Sequence, residues 1–171
     1  MNMRNLLLIT GLMAAPALAL EPRPIATAAV VHADGTPAGA VVIRPMSKGT
    51  MVEVEITGVS PGPHGLHLHT TGRCDGPAFA SAGGHLNPGG HEHGALNPAG
   101  EHLGDLPNVT AGKDGRISAK IRSPMRPFKL MQALLDDDGS AIVLHAGPDD
   151  YRTDPSGNSG ARIACGVLAR P

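Results

Sequence analysis

Seven of the nine histidines in this chain lie between His64 and Asp105, among turns rich in Gly, Pro and Asn. Neutral imidazole is a common ligand for zinc and copper, and here the histidines recur at short intervals with one carboxylate at the end of the stretch. The spacing and density of these side chains therefore predict a metal site. Its ligands must be brought together by short strands and by the loops between them.

The segment HGLHLH places two histidines on one face of a predicted strand. Because successive side chains of a strand point to opposite faces, His67 and His69 share one side while Leu66 and Leu68 share the other. Two imidazoles on one side can bind the same metal ion. His64 has the parity of the leucines, and we interpret it as a structural histidine rather than a ligand.

Further ligand candidates follow in the next 40 residues. They are His85, then His91 and His93 in HEHG, then His102 and Asp105. The three-residue step from His102 to Asp105 lets an imidazole and a carboxylate converge on one cation, and zinc accepts four nitrogen and oxygen ligands tetrahedrally. The spacing alone does not choose between His91 and His93.

The elements that position these residues are predicted to be strands. Short runs rich in Val, Ile, Ala and Thr are separated by Gly-containing turns, which is typical of an antiparallel sandwich or barrel. The predicted strands are 26–32, 38–44, 50–57, 66–69, 116–122, 130–135, 141–145 and 162–168. No helix is predicted after the N-terminal segment. The long connections 70–105 and 146–160 are expected to be functional loops, because long irregular loops in compact domains usually are.

Residues 1–19 have the pattern of a secretory signal peptide. Arg4 precedes a short apolar run, and small residues end it at Ala17 and Ala19. The remaining 20–171 is expected to form one exported domain without membrane attachment, since that run is too short to span a bilayer. A formal net charge of −1 gives no attraction for nucleic acid. Export to an oxidising compartment also favours a disulfide between Cys74 and Cys165.

Six segments, in order, resemble the motifs of copper,zinc superoxide dismutases of the exported bacterial type. They are HGLHLHTTGRC, GGHLNP, HEHG, EHLGDLPNV, AIVLHAGPDDY and GNSGARIACGVL. The resemblance covers essentially the whole mature chain. It implies an all-β fold, an eight-stranded antiparallel Greek-key β-sandwich or barrel with two long functional loops. It also implies an enzyme that converts superoxide to oxygen and hydrogen peroxide.

The same resemblance assigns one copper and one zinc per subunit. Copper is expected at His67, His69, His85 and His145, and zinc at His85, His93, His102 and Asp105. His85 would then bridge the two metals and carry a proton during catalysis. Three further roles are implied: Asp149 hydrogen-bonds a histidine of each metal site, Arg162 attracts the superoxide anion, and Cys74 pairs with Cys165. The remaining His32 and His91 are expected to face solvent.

Several alternatives stay open at this point. A non-catalytic exported protein that buffers or delivers copper and zinc is the main alternative function. Either a monomer or a homodimer is compatible with the sequence, as is secretion instead of a periplasmic location. The stretch between His145 and Arg162 is shorter than in eukaryotic members of the family, so other charges are expected to steer the substrate. Candidates for this are Lys113, Arg126 and Lys129.

Overall fold

The computed structural model describes residues 21–171, so the predicted signal peptide lies outside the described residues. Within that range the strands are β1 (Ala26–His32), β2 (Pro37–Pro45), β3 (Thr50–Ile56), β4 (Gly62–His69), β5 (Asp105–Ala111), β6 (Ile117–Ser123), β7 (Ser140–His145) and β8 (Arg162–Leu168). The helix α1 (Pro127–Leu134) and a short 3-10 turn (Ala80–Ala82) complete the elements. None of the helices in 21–171 is long and apolar enough to cross a membrane.

The strands form one antiparallel sheet in the order β5-β4-β7-β8-β1-β2-β3-β6. Its two edge strands, β5 and β6, contact each other, so the sheet curls into a nearly closed barrel. Alternate residues point inward, as Val52, Val54 and Ile56 of β3 do. The interior is almost entirely aliphatic. The predicted all-β, eight-stranded fold is confirmed.

Two elements differ from the sequence prediction. The predicted strand 130–135 lies largely in α1, where Pro127 suits the first turn because its fixed φ fits a helix and its missing N–H is not needed there. Leu130 and Leu134 are buried while Gln132 between them is exposed, which fits a helix, because a strand would place all three side chains on one face. The second difference is β5, which the sequence analysis left unassigned; its Pro107 is tolerated because β5 is an edge strand.

The two long connections cover the outer face of β4, β7 and β8. A second apolar cluster forms there, in which Phe79 of the first loop packs with Val143 of β7 and Cys165 of β8. The predicted disulfide between Cys74 and Cys165 is confirmed. Because of this cover, β4 is buried on both faces from His64 onward, and its outward-pointing histidines are removed from water.

Candidate metal centre

The register of the sheet gathers the predicted ligands at one place on the outer barrel wall. His67 in β4 lies opposite Asp105 in β5, and the backbone of His69 forms an isolated antiparallel β-bridge with that of His85 in the first loop. His145 ends β7, the strand on the other side of β4. Strand pairing therefore positions residues that are up to 78 positions apart in the sequence.

Four histidines form the first group, here called the four-histidine set: His67, His69, His85 and His145. All four are buried, and their potential ligand atoms lie within 4.8 Å of one another. Within residues 21–171, one ring nitrogen of each has no hydrogen-bond partner: Nδ1 of His67 and Nε2 of His69, His85 and His145. Buried polar atoms normally have a partner, so four unpaired nitrogens facing a common point fit a bound cation.

The opposite ring nitrogens of three of these histidines face acceptor oxygens. The Nε2–H of His67 donates to Asp149 Oδ2 at 2.8 Å. The Nδ1–H of His69 donates to the Gly83 carbonyl at 3.0 Å, and that of His145 donates to the Gly160 carbonyl at 3.2 Å. Because these partners only accept, they fix which nitrogen carries the proton and leave the unpaired nitrogen as a lone-pair donor for a metal.

A second group, here called the mixed set, consists of His85, His93, His102 and Asp105. The Nδ1 atoms of these three histidines lie 2.9, 3.1 and 3.2 Å from Oδ1 of Asp105. The Nδ1 atoms of His85 and His102 are 3.4 Å apart. Ligands around a tetrahedral zinc, with bonds of about 2.0–2.1 Å, are separated by roughly 3.3 Å. The donor atoms and their spacing therefore fit zinc.

His85 belongs to both sets. Its Nε2 faces the four-histidine set and its Nδ1 faces Asp105 in the mixed set. The His85 ring centroid is 4.0 Å from that of His67 and 5.1 Å from that of His93. One imidazole can thus contribute a different nitrogen to each of two metal ions.

Burial keeps these imidazoles uncharged. It lowers the pKa of His69 to about 2, of His145 to about 3 and of His85 to about 4. Burial also opposes ionisation of Asp105, but hydrogen bonds from His85 and from the Gly94 backbone N–H outweigh it and hold the pKa of this carboxyl well below its usual range. Neutral imidazoles and an ionised carboxylate are the protonation states that metal binding requires.

Asp149 connects the two sets. Its Oδ2 accepts from Nε2 of His67 and its Oδ1 from Nε2 of His93, at 2.8 and 3.0 Å. Burial alone raises the pKa of Asp149, yet the hydrogen bonds from His67, His93 and the Tyr151 backbone lower it overall. The carboxylate therefore stays ionised while it orients one ring of each set.

Arg162, the first residue of β8, lies beside an opening in the protein surface. Its Nη1 donates to the Phe79 carbonyl and its Nη2 to the Gly83 carbonyl, both at 2.7 Å. Burial lowers the pKa of Arg162, but arginine remains charged at neutral pH. The opening has a volume of about 740 Å³ and is lined by small uncharged residues around Arg162, including Gly83 and Gly160. Since these two glycines accept from His69 and His145, the opening leads toward the four-histidine set.

The remaining histidines are outside both sets. His64 is buried, and its ring nitrogens face the carbonyls of Ser60 and His145, at 2.8 and 2.7 Å. His91 is exposed, as expected. His32 is half-buried with its ring over Gly58, so His32 is less open to solvent than expected.

The three residues predicted to steer the substrate are Lys113, Arg126 and Lys129. None of them lines the opening beside Arg162. Long-range steering by them stays a prediction.

Sequence reasoning missed several residues that support the site. Asp154 accepts from the His93 backbone N–H at 2.7 Å, and Asn108 pairs with the backbone of Asp149. Gly157 packs directly against Asp149 and His93, with φ of +64°. Asn108 lies inside the motif EHLGDLPNV, but a single sequence does not indicate which distant loop its amide contacts.

Comparison with known proteins agrees with this geometry. The family model for copper/zinc superoxide dismutase (SODC) matches residues 37–168. The chain belongs to this family. A Caulobacter vibrioides member named Cu-Zn superoxide dismutase is 46% identical over 147 residues, covering 84% of each chain. A superoxide dismutase of Aquifex aeolicus, also named as a Cu-Zn enzyme, is 38% identical over 146 residues, covering 84% of this chain and 85% of that protein.

Two similar solved structures have the same fold. A SOD-like protein from Bacillus subtilis is 40% identical with a TM-score of 0.79, covering 84% of this chain and 97% of that one. The Cu/Zn superoxide dismutase from Brucella abortus is 31% identical with a TM-score of 0.68, covering 82% and 97%. All the ligand positions that the family resemblance assigned are occupied here by His or Asp.

Gly157 provides a test of how closely the second loop must approach the site. A Cβ at this position would overlap Oδ1 of Asp149 and lie 2.7 Å from Nε2 of His93. We expect Gly157→Ala to displace Asp149 and to weaken zinc and copper retention against a chelator by about 10- to 100-fold. Metal content after dialysis measures this.

Gly90→Ala is the matched control, because Gly90 has the same φ of +64° but open space around its Cβ position. This variant carries the cost of a left-handed alanine, about 1–2 kcal/mol, without touching Asp149. Equal loss of metal from both variants would mean that backbone strain, rather than contact with Asp149, explains the effect.

Proposed function

We propose that this protein is a superoxide dismutase in which the four-histidine set holds one copper and the mixed set one zinc per subunit. The observation that carries the assignment is the pair of opposed nitrogens on His85, one directed to each set, in a chain of the copper/zinc superoxide dismutase family. A pure metal buffer has no need of a shared ligand or of a fixed arginine beside the surface opening. Both features support turnover.

The chemistry divides between the two sets. Copper bound by the four-histidine set would supply electron transfer because it changes oxidation state, whereas zinc bound by the mixed set would not change oxidation state and would hold the loop in place. Asp149 keeps the rings of His67 and His93 in orientation, so the ligand geometry survives a change of charge in the site. Within the four-histidine set, Nε2 of His85 is the atom that can hold and release a proton, because Nδ1 stays directed to the mixed set.

Arg162 serves the substrate. Superoxide is a small anion, and a guanidinium held by two backbone carbonyls presents a fixed positive charge at the opening. Two of its five N–H donors are used by Phe79 and Gly83, which leaves others for the anion. The small residues around the opening leave space for a diatomic substrate to reach Arg162.

We also propose that residues 1–19 are a signal peptide and that the mature domain, 20–171, works in the periplasm. The pattern of Arg4, the apolar run and Ala17 to Ala19 supports this, as does the Cys74–Cys165 disulfide, because disulfides persist mainly in oxidising compartments. Intact mass spectrometry of protein recovered from periplasmic extracts tests it. A mass that begins at Leu20 is expected, and a full-length cytoplasmic protein would contradict the proposal.

The direct test of the activity is a dismutation assay on the mature protein with measured copper and zinc content. We expect fast dismutation that scales with copper content. Protein that is fully loaded with both metals and is no faster than the metal-free protein would exclude the enzyme and favour a copper-binding role.

Arg162→Ala tests the role of the guanidinium. We expect the second-order rate constant to fall at least about tenfold at low ionic strength with copper content unchanged, because local charge raises encounter rates by about 10- to 1,000-fold. Arg170→Ala removes an exposed arginine near the end of β8 and serves as the control with little expected change. Loss of copper in Arg162→Ala would instead indicate a structural role.

Two neighbouring histidines test the zinc assignment. His93→Ala removes a buried member of the mixed set, and we expect zinc content to fall by more than half while His91→Ala, which removes an exposed ring, binds zinc normally. Metal analysis after chelator dialysis measures both. Zinc loss in His91→Ala alone would show that the assignment of these two residues is reversed.

A further inference from the structure

The position of Asp149 is itself controlled by a contact outside both ligand sets. Asp149 contacts His67 of the four-histidine set and His93 of the mixed set. It lies in an irregular loop, 146–161, where the strand ladder does not fix its backbone. Something must therefore hold the carboxylate at hydrogen-bond distance from two rings.

Asn108 makes this contact. Its side-chain Nδ2 donates to the Asp149 carbonyl at 2.9 Å, and its Oδ1 accepts from the Asp149 N–H at 2.8 Å. One amide thus pairs with both backbone groups of a single residue, as a neighbouring strand would. A carboxylate cannot donate and an alcohol is too short to reach both groups, so the primary amide of asparagine suits this position.

The contact is reinforced by Tyr151. The backbone N–H of Asn108 donates to the Tyr151 hydroxyl at 2.8 Å, and the backbone N–H of Tyr151 donates to Oδ1 of Asp149 at 2.6 Å. Asn108, Tyr151 and Asp149 therefore form a closed circuit of hydrogen bonds. The circuit fixes the Asp149 backbone and one of its carboxylate oxygens at the same time.

Asn108 also lies on the strand that carries a ligand. It is three residues after Asp105 in β5, and β5 pairs with β4, where Asp105 lies opposite His67. The same strand thus supplies a carboxylate to the mixed set and holds the loop whose carboxylate orients His67 and His93. A shift of Asn108 changes the distance between these two carboxylates.

We propose that Asn108 is a positioning residue for both metal sets and acts through Asp149. This inference rests on the proposed copper and zinc sites, and its tests measure metal binding rather than dismutation. Failure of the wild-type protein to dismutate superoxide would therefore remove the proposed activity without deciding the role of Asn108.

The first test compares Asn108→Ala with the wild-type protein, both loaded with copper and zinc. We expect a changed copper(II) electron paramagnetic resonance spectrum and about tenfold weaker affinity for both metals, in the range seen when residues that orient ligands are removed. Thr110→Ala is the control: it truncates an exposed side chain two residues further along β5 and should behave as wild type. Asn108→Asp, which keeps the size and the acceptor but removes the donor, should change the spectrum in the same direction.

The second test is a double-mutant cycle with Asp149→Asn. If Asn108 acts through Asp149, the double variant Asn108→Ala/Asp149→Asn binds metal no more weakly than Asp149→Asn alone. Losses that multiply in the double variant would overturn the proposal. A second result would also overturn it: Asn108→Ala protein that unfolds at a lower temperature but keeps the wild-type copper spectrum and metal affinities. In that case Asn108 would stabilise the fold without positioning the metal ligands.

Discussion

The ring of His85 contributes one nitrogen to each of two donor sets, and the rest of the site is arranged around this sharing. An imidazole is rigid, so two metal ions bound at its two nitrogens would be held at a separation that the ring sets. The other ligands must then be oriented by contacts of their own. Backbone carbonyls do this for His69 and His145, whereas Asp149 does it for His67 and His93 together.

Such an arrangement depends on excluding water. Desolvation keeps the buried imidazoles neutral. It also removes their unpaired nitrogens from water, and a bound cation would satisfy them. The cover is supplied by two loops, of which the first is attached by the Cys74–Cys165 disulfide and by Phe79. Arg162 also binds this loop through the carbonyls of Phe79 and Gly83. The charge proposed to attract substrate is therefore fixed by the segment that carries His85.

The barrel was predictable because its strands alternate apolar and polar residues or form short apolar runs between glycine turns. The same rule failed for α1, because Leu130 and Leu134 would share a face in a strand as well as in a helix, and for β5, because Pro107 and Asn108 are unusual in strands. In the site, strand parity separated His67 and His69 from His64. The choice of His93 over His91 needed the family pattern. The roles of Asn108 and Gly157 needed the structure, because Asn108 contacts a loop about 40 residues away and Gly157 lies close against Asp149.

The central claim, that His85 is shared, is tested most directly by the copper(II) paramagnetic resonance spectrum of copper-loaded wild-type protein before and after one equivalent of zinc. Zinc bound at Nδ1 would change the electron density that Nε2 donates, so we expect a shifted spectrum. We expect no shift in a His93→Ala variant that does not retain zinc. Wild-type protein that takes up one zinc and shows an unchanged copper spectrum would contradict the sharing of His85.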